Sequence, residues 1–277
     1  AENVSSVVTG FALRSYVFKD LVQVQSSSAW KESYFQETAA DLTAQGINSV
    51  QGIPRLAEFP ENHVTFTEQS SRHLKHGLRD FISIEDVMTN DINVMRETLM
   101  RISRAVVKSV DTNIWNTLTE NQSATNINAV TSTAAWDAGS GQDPIEDIAE
   151  AIQLIEENDY EVVGKGVLVL SPKDFKSLLV WLISTKGANI PQFSSEKLSN
   201  GRVGEFLGLQ VRVSNNVTAD YAAVMIPKRC GVWKSAASLR TVTTEHPGIS
   251  WEILTYEIGT CQLTNPKTVS LISNTQA

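Results

Sequence analysis

The chain has few cysteines, few charges and no long apolar run, and each shortage excludes a class of protein. Cys230 and Cys261 are the only cysteines among 277 residues, too few for a disulfide framework or a thiolate zinc site. Apolar stretches such as 167–170 and 178–183 are far shorter than the roughly 20 residues that a membrane-spanning helix needs. We therefore expect buried, reduced thiols and no membrane partner.

Charge is scarce and its balance is negative. Charged residues make up 19% of the chain, below the roughly 25% usual for soluble domains. With 23 basic and 31 acidic residues the net charge is −8, so the surface as a whole does not favour nucleic acid, although a local basic stripe is compatible with it. A surface poor in charge suits contact with other protein.

Motifs for catalysis and cofactor binding are missing. The sequence has no Walker A loop, no strand-linked GxGxxG and no GxSxG nucleophile elbow. His73 and His76 lie in a strand-like segment, where a spacing of three residues puts them on opposite faces and disfavours a shared metal. We expect no enzyme, no cofactor and no metal. An unrecognised α/β enzyme stays open as an alternative, because catalytic triads assemble only in space.

A long segment of the first third, from Ser26 to about Lys75, shows no sustained helical periodicity although it carries apolar residues. A structureless loop of this length does not belong inside a compact domain. The segment closes with strand-like alternation around Val64 and Phe66. We expect a long hairpin that projects from the body and is stabilised by other chains. A disordered linker is the alternative, which the aromatic content disfavours.

The clearest helix is predicted from about Asp91 to Leu118. Apolar residues recur at steps of three and four and form one stripe: Ile92, Met95, Leu99, Ile102, Val106, Val110, Ile114 and Leu118. Arg101, Arg104 and Lys108 fall on the opposite face. Two interpretations stay open: a solvated face on which Glu97 and Arg101 form an i, i+4 pair, or contact with a polyanion.

The central part alternates helices and strands, and the tail is β. Asp143 and Ser171 each precede a proline and have the pattern of a helix N-cap, so helices are predicted to follow them. Strands are predicted at 166–170, 207–213, 221–226, 250–263 and 269–272, with loop signals at 186–204 and a turn at Asn265-Pro266.

This order of elements resembles the major capsid proteins of tailed double-stranded DNA viruses, which have the Hong Kong 97-like fold. Three stretches carry most of the resemblance: GVLVLSPKDF (166–175), GEFLGLQV (204–211) and AAVMIPK (222–228). The strand that contains the end of the second stretch is predicted to continue to Val213. Residues 251–272 are similar to the family's closing strand, Asn-Pro turn and final strand. The resemblance covers nearly the whole chain and rests on order and pattern.

The resemblance implies an α+β fold with five parts. An N-terminal arm (1–25) and an extended loop (26–77) precede a peripheral domain, whose first part (78–136) contains the spine helix. An inserted α/β axial domain (137–236) follows, and residues 237–277 complete the peripheral domain.

The function that the resemblance implies is assembly. Copies would associate as pentamers and hexamers in an icosahedral shell around packaged double-stranded DNA, in the virion, after assembly in the host cytoplasm. Portal, scaffolding and decoration proteins are the other implied partners. Arg101, Arg104 and Lys108 would face the lumen and contact DNA, and Lys31, Arg55, Phe59 and Arg72 would make contacts of the extended loop between subunits. An encapsulin-like nanocompartment is the alternative of the same fold.

Overall fold

The computed structural model describes residues 16–37, 52–59, 66–89, 94–182 and 204–277. Predictions for other residues, namely most of the N-terminal arm (1–15), residues 38–51 and 60–65 of the extended loop, the first residues of the long helix (91–93) and the loop at 186–203, lie outside this range.

The described residues form short and long strands with helices between them. The strands are β1 (Gln23–Ser26), β2 (Lys31–Glu37), β3 (Phe66–Arg72), β4 (Leu74–Ser83), β5 (Asn128–Thr131), β6 (Val167–Leu170), β7 (Glu205–Phe206), β8 (Leu209–Val213), β9 (Tyr221–Met225), β10 (Gly231–His246), β11 (Ser250–Leu263) and β12 (Val269–Ser273). The helices are α1 (Ile84–Thr89), α2 (Val94–Leu118), α3 (Pro144–Glu156) and α4 (Pro172–Trp181). Among the described helices, none is both long and apolar enough to cross a bilayer.

The strands are arranged in three sheets. One has the order β1-β10-β11-β4, the second has the order β5-β12-β9-β6-β8-β7, and β2 and β3 form an antiparallel pair of their own. The long strands β10 and β11 pair antiparallel along most of their length, and α2 packs against β4 and β11.

The helix α2 confirms the predicted amphipathic stripe. Ile102, Val106, Val110, Ile114 and Leu118 are each at most 1% exposed. They lie on one side of the helix because steps of three and four residues return to the same face. Val110, Ile114 and Leu118 belong to the larger hydrophobic core, whereas Ile102 packs in a smaller cluster with Ile253 of β11.

A second core lies between α3, α4 and the six-stranded sheet. Both helices begin as predicted. The Asp143 side chain accepts a hydrogen bond from the backbone N–H of Glu146 at 3.3 Å, and the Ser171 hydroxyl accepts one from the N–H of Asp174 at 3.2 Å. A proline follows each cap, where its missing N–H is not needed.

One predicted strand starts too early. Leu207 and Gly208 have φ angles of 50° and 74°, so they form the turn between β7 and β8 instead of the start of a strand. Two consecutive residues with positive φ match the tight turn of a two-residue hairpin. The strand β8 therefore begins at Leu209.

Strands run across the domain boundaries that the resemblance implies. The strand β4 continues through residue 77 and β10 continues through residue 236. The six-stranded sheet also joins β5 and β12 to strands of the inserted segment. The boundaries stay predictions.

Candidate functional site

The hairpin β2–β3 places two of the predicted contact residues opposite each other. Lys31 pairs with Arg72 at one end of the hairpin, and Glu37 pairs with Phe66 at the other end. Both Lys31 and Arg72 are exposed. Two like charges in directly opposed positions repel each other within one chain. The arrangement leaves two exposed cations side by side at this end of the hairpin.

Aromatic side chains on and around the hairpin are unusually exposed. Trp30 is 58% exposed and Phe35 is 65% exposed, and the Phe35 ring meets the Phe66 ring edge-on, with 6.4 Å between centroids. Arg55 and Phe59 lie in the separately described segment 52–59, where both are exposed. A two-stranded hairpin is marginally stable alone, and clustered exposed apolar groups mark interaction surfaces. This surface has the properties of a protein contact.

The predicted basic stripe is on the outer face of α2. Arg101, Arg104 and Lys108 are all exposed, while the opposite face of the helix is buried. Arg101 contacts Glu97 at 3.8 Å, which confirms the predicted i, i+4 pair. An exposed pair of this kind contributes little to stability and leaves the side chains available for other contacts.

His73 and His76 contact different side chains and do not point at a common metal position. His73 Nε2 lies 3.2 Å from the Ser27 hydroxyl, whereas His76 Nδ1 lies 2.8 Å from the Ser109 hydroxyl on α2. Burial lowers the pKa of His76, and the charge of nearby Glu257 acts in the opposite direction. Both imidazoles are buried packing groups that join neighbouring elements.

The sequence interpretation missed a buried carboxylate on α2. The Asp111 side chain is fully buried and accepts hydrogen bonds from the backbone N–H groups of Val17 at 2.8 Å and Lys19 at 3.3 Å. Burial raises its pKa to about 6, against the lowering effect of these bonds. A signal was available, because Asp111 interrupts the apolar stripe between Val107 and Ile114.

A second buried carboxylate holds the same N-terminal segment. Glu257 on β11 is fully buried, accepts a hydrogen bond from the Tyr16 hydroxyl at 2.6 Å, and pairs with the Lys19 ammonium at 2.5 Å. Burial and the Glu257 charge raise the pKa of Tyr16. The two carboxylates together fasten residues 16–19 to α2 and β11.

A protein-family model for phage capsid protein matches residues 67–253, more than half of the chain. Comparison with curated proteins finds no match.

Solved structures share the fold at low identity. The capsid of cyanophage P-SCSP1u is 13% identical with a TM-score of 0.67, covering 95% of this chain and 89% of that one. The mature capsid of bacteriophage PhiM1 is 15% identical with a TM-score of 0.63, covering 93% and 86%. The virus-like particle from Pyrococcus furiosus is 11% identical with a TM-score of 0.64, covering 98% of both chains.

These matches confirm the expected α+β, Hong Kong 97-like fold and a structural role. The chain belongs to the phage capsid protein family.

Proposed function

We propose that copies of this chain associate as pentamers and hexamers and tile an icosahedral shell around packaged double-stranded DNA. Membership of the phage capsid family supports a major capsid protein of the virion. The observation within the chain that carries the proposal is the hairpin β2–β3, whose exposed aromatic side chains have little of their own body to cover them. Burial against a neighbour would stabilise them by about 25 cal/mol per Å² of apolar area.

The contacts that we assign to the neighbour are those of the extended loop. Phe59, 81% exposed, would supply apolar area, and Arg55 would supply charge beside it. Lys31 and Arg72 would take an acidic group of the neighbour, which would relieve the repulsion between them. The chain has more acidic than basic residues, so a second copy offers such groups.

For the parts of the subunit we retain the division into arm (1–25), extended loop (26–77), peripheral domain (78–136 with 237–277) and axial domain (137–236). The packing of α2 on β4 and β11 supports a peripheral unit, and the second core around α3 and α4 supports an axial one. Portal, scaffolding and decoration proteins as partners, and assembly in the host cytoplasm, are proposed on family membership alone.

We also propose that the basic stripe of α2 faces the lumen and contacts DNA. Arg101, Arg104 and Lys108 are solvent-accessible, and they stand out on a chain whose net charge is −8. Contacts of this kind are made to phosphates, so they are independent of DNA sequence and weaken as salt rises. The shell would thus hold DNA mainly by enclosing it.

The test compares DNA retention by particles of the wild type and of a variant with Arg101, Arg104 and Lys108 changed to glutamine. We expect the variant to release DNA at lower salt after the shells are opened, with a salt slope reduced by roughly 0.9 per lost contact. A matched control changes three exposed cations elsewhere to glutamine, namely Lys165, Lys176 and Arg212. Equal retention by both variants at every salt concentration would refute the DNA contact.

An encapsulin-like compartment of the same fold is the second candidate, and the virus-like particle from Pyrococcus furiosus is a solved structure that shares this fold. A cargo groove near the N-terminus would draw on Val7, Phe11, Leu13, Val17 and Phe18. Phe18 is fully buried in the core of its own chain and offers nothing to cargo. Val7, Phe11 and Leu13 lie outside the described residues. Purified particles that contain an enzyme and exclude nucleic acid would favour this candidate. Particles that contain double-stranded DNA would favour the capsid.

A further inference from the structure

The end of β2 at Glu37 is fastened to the body by a closed ring of three side chains. Glu37 Oε2 accepts hydrogen bonds from Asn265 Nδ2 at 2.6 Å and from the Tyr160 hydroxyl at 3.2 Å. The same Asn265 amide donates to the Tyr160 hydroxyl oxygen at 2.8 Å. The backbone N–H of Glu37 donates to the carbonyl of Thr264 at 3.1 Å. One residue of the hairpin therefore contacts both the loop after β11 and the segment after α3.

The chemistry of this ring fixes its orientation. An ionised carboxylate only accepts hydrogen bonds, so the amide of Asn265 must turn its NH₂ group toward Glu37. Its Oδ1 atom is then buried without a hydrogen-bond partner, which is unfavourable. That cost is offset by the bond to the carboxylate, since bonds to charged groups are the strong ones. The Arg229 guanidinium lies 4.6 Å from the centre of the Tyr160 ring and steadies it from outside.

A second attachment lies nearer the start of the hairpin. Gln262 Nε2 donates to Glu32 Oε2 at 3.3 Å and to the Ser71 hydroxyl at 2.8 Å, so it holds both strands. Glu32 and Glu37 are five residues apart, which is about 17 Å along a strand. One attachment would let the hairpin swing about it, whereas two attachments at this separation fix its direction.

We propose that the ring of Glu37, Asn265 and Tyr160 is an orientation latch that sets the angle at which the extended loop leaves the body. In a closed shell, that angle determines which part of a neighbouring subunit the extended loop contacts. The latch is therefore a determinant of shell geometry, and this proposal rests on the proposed function. Opening the latch would remove the side-chain attachment at Glu37 and leave the backbone bond to Thr264 and the contacts of Gln262. The hairpin would then be held less firmly, which would widen the range of angles at which copies meet.

The test uses the full chain with Glu37→Gln and, separately, Tyr160→Phe. The first change removes the charge that orients the ring, and the second removes one hydroxyl while keeping the aromatic packing. The matched control is Glu68→Gln, an exposed carboxylate on the same hairpin. Hydrogen exchange is measured on unassembled subunits, and the distribution of particle diameters is measured by electron microscopy after assembly.

We expect amides of residues 31–37 and 66–72 to exchange about tenfold faster in Glu37→Gln, with α2 unchanged. We also expect a broader distribution of shell diameters than in the wild type and in Glu68→Gln. Unchanged hairpin exchange in both latch variants would overturn the proposal. So would faster exchange with unaltered shells, because the latch would then not set their geometry.

Two further outcomes can be distinguished from a failure of the latch proposal. If Glu37→Gln exchanges faster throughout the chain, the variant is globally destabilised, and the milder Tyr160→Phe decides by the same two readouts. If the wild type forms no shells at all, the proposed function is wrong, while the exchange measurement still tests whether the ring holds the hairpin.

Discussion

Replacing Asp111 by asparagine should change how the stability of the subunit depends on pH. The carboxylate is fully buried against the backbone of residues 17 and 19, and burial raises its pKa from 3.8 to about 6. Between these two values the folded chain holds a proton that the unfolded chain has released. The stability that Asp111 contributes is therefore fully present below about pH 4 and is lost as the pH rises through 6.

The size of the effect follows from the two pKa values. One pH unit of difference corresponds to 1.36 kcal/mol, so the full change is about 3 kcal/mol. Between pH 7 and pH 4.5 the wild type should gain about 2 kcal/mol relative to Asp111→Asn, which cannot ionise. Asp111→Ala should be the less stable variant at every pH, because the half-buried N–H groups of residues 17 and 19 then lose their acceptor, at a total cost of about 1–3 kcal/mol.

The assay is urea unfolding of unassembled subunits between pH 4.5 and pH 8, followed by tryptophan fluorescence. Trp115 is a suitable reporter, because its ring lies 5.4 Å from the ring of Phe18 in the attached segment. Glu97→Gln, which removes an exposed carboxylate from the same helix, is the matched control. A flat difference between the wild type and Asp111→Asn would show that burial of the carboxylate does not govern this attachment.

Two other substitutions test the packing. Ile114→Ala removes a fully buried side chain from the core under α2 and should lower the free energy of unfolding in urea by about 2–5 kcal/mol. The control Lys108→Ala, at an exposed position, should change it by at most about 0.5 kcal/mol. Equal effects of the two substitutions would contradict the assigned core face. Gly208→Ala places a Cβ atom 2.7 Å from Val163 Cγ1 at a residue whose φ is 74°, so it should lower the melting temperature. The control Gly139→Ala, where a Cβ atom meets open space, should leave the melting temperature unchanged. An unchanged melting temperature in Gly208→Ala would contradict the assigned turn.

Elements with local signals were predictable from the sequence. The long helix α2 shows its period directly, and each of the caps at Asp143 and Ser171 is indicated by a pattern of four consecutive residues. The strand β11 has the predicted bounds, Ser250–Leu263, and its residues 252–258 alternate between half-buried and buried. In each case the information needed lies within one turn or a few strand residues.

Elements that depend on distant partners were not predictable. The strand β10 pairs with β11 along most of its length, and its pairing shifts between Ser235 and Ala237 and again before Arg240, so its course depends on the partner strand. The strand β5 is four residues long and exists because it lies beside β12. Burial supplied by a partner strand overrides weak local preference at such positions.

The candidate site residues also divide into those with a local sequence signal and those that depend on distant partners. The sequence located Arg101, Arg104 and Lys108 on one exposed helical face because helix geometry is local. It gave no indication of the ring around Glu37, since Asn265 lies 228 positions further along the chain. Contacts between residues so far apart in the sequence form only in the complete fold, so a search for local motifs does not find them.

Electron cryomicroscopy of particles formed by the full chain tests the central claim most directly. We predict closed icosahedral shells in which the hairpin β2–β3 of each subunit contacts a neighbouring copy and covers Phe35 and Phe59. Subunits that remain monomeric at high concentration, or shells in which the hairpin contacts only its own chain, would contradict the account.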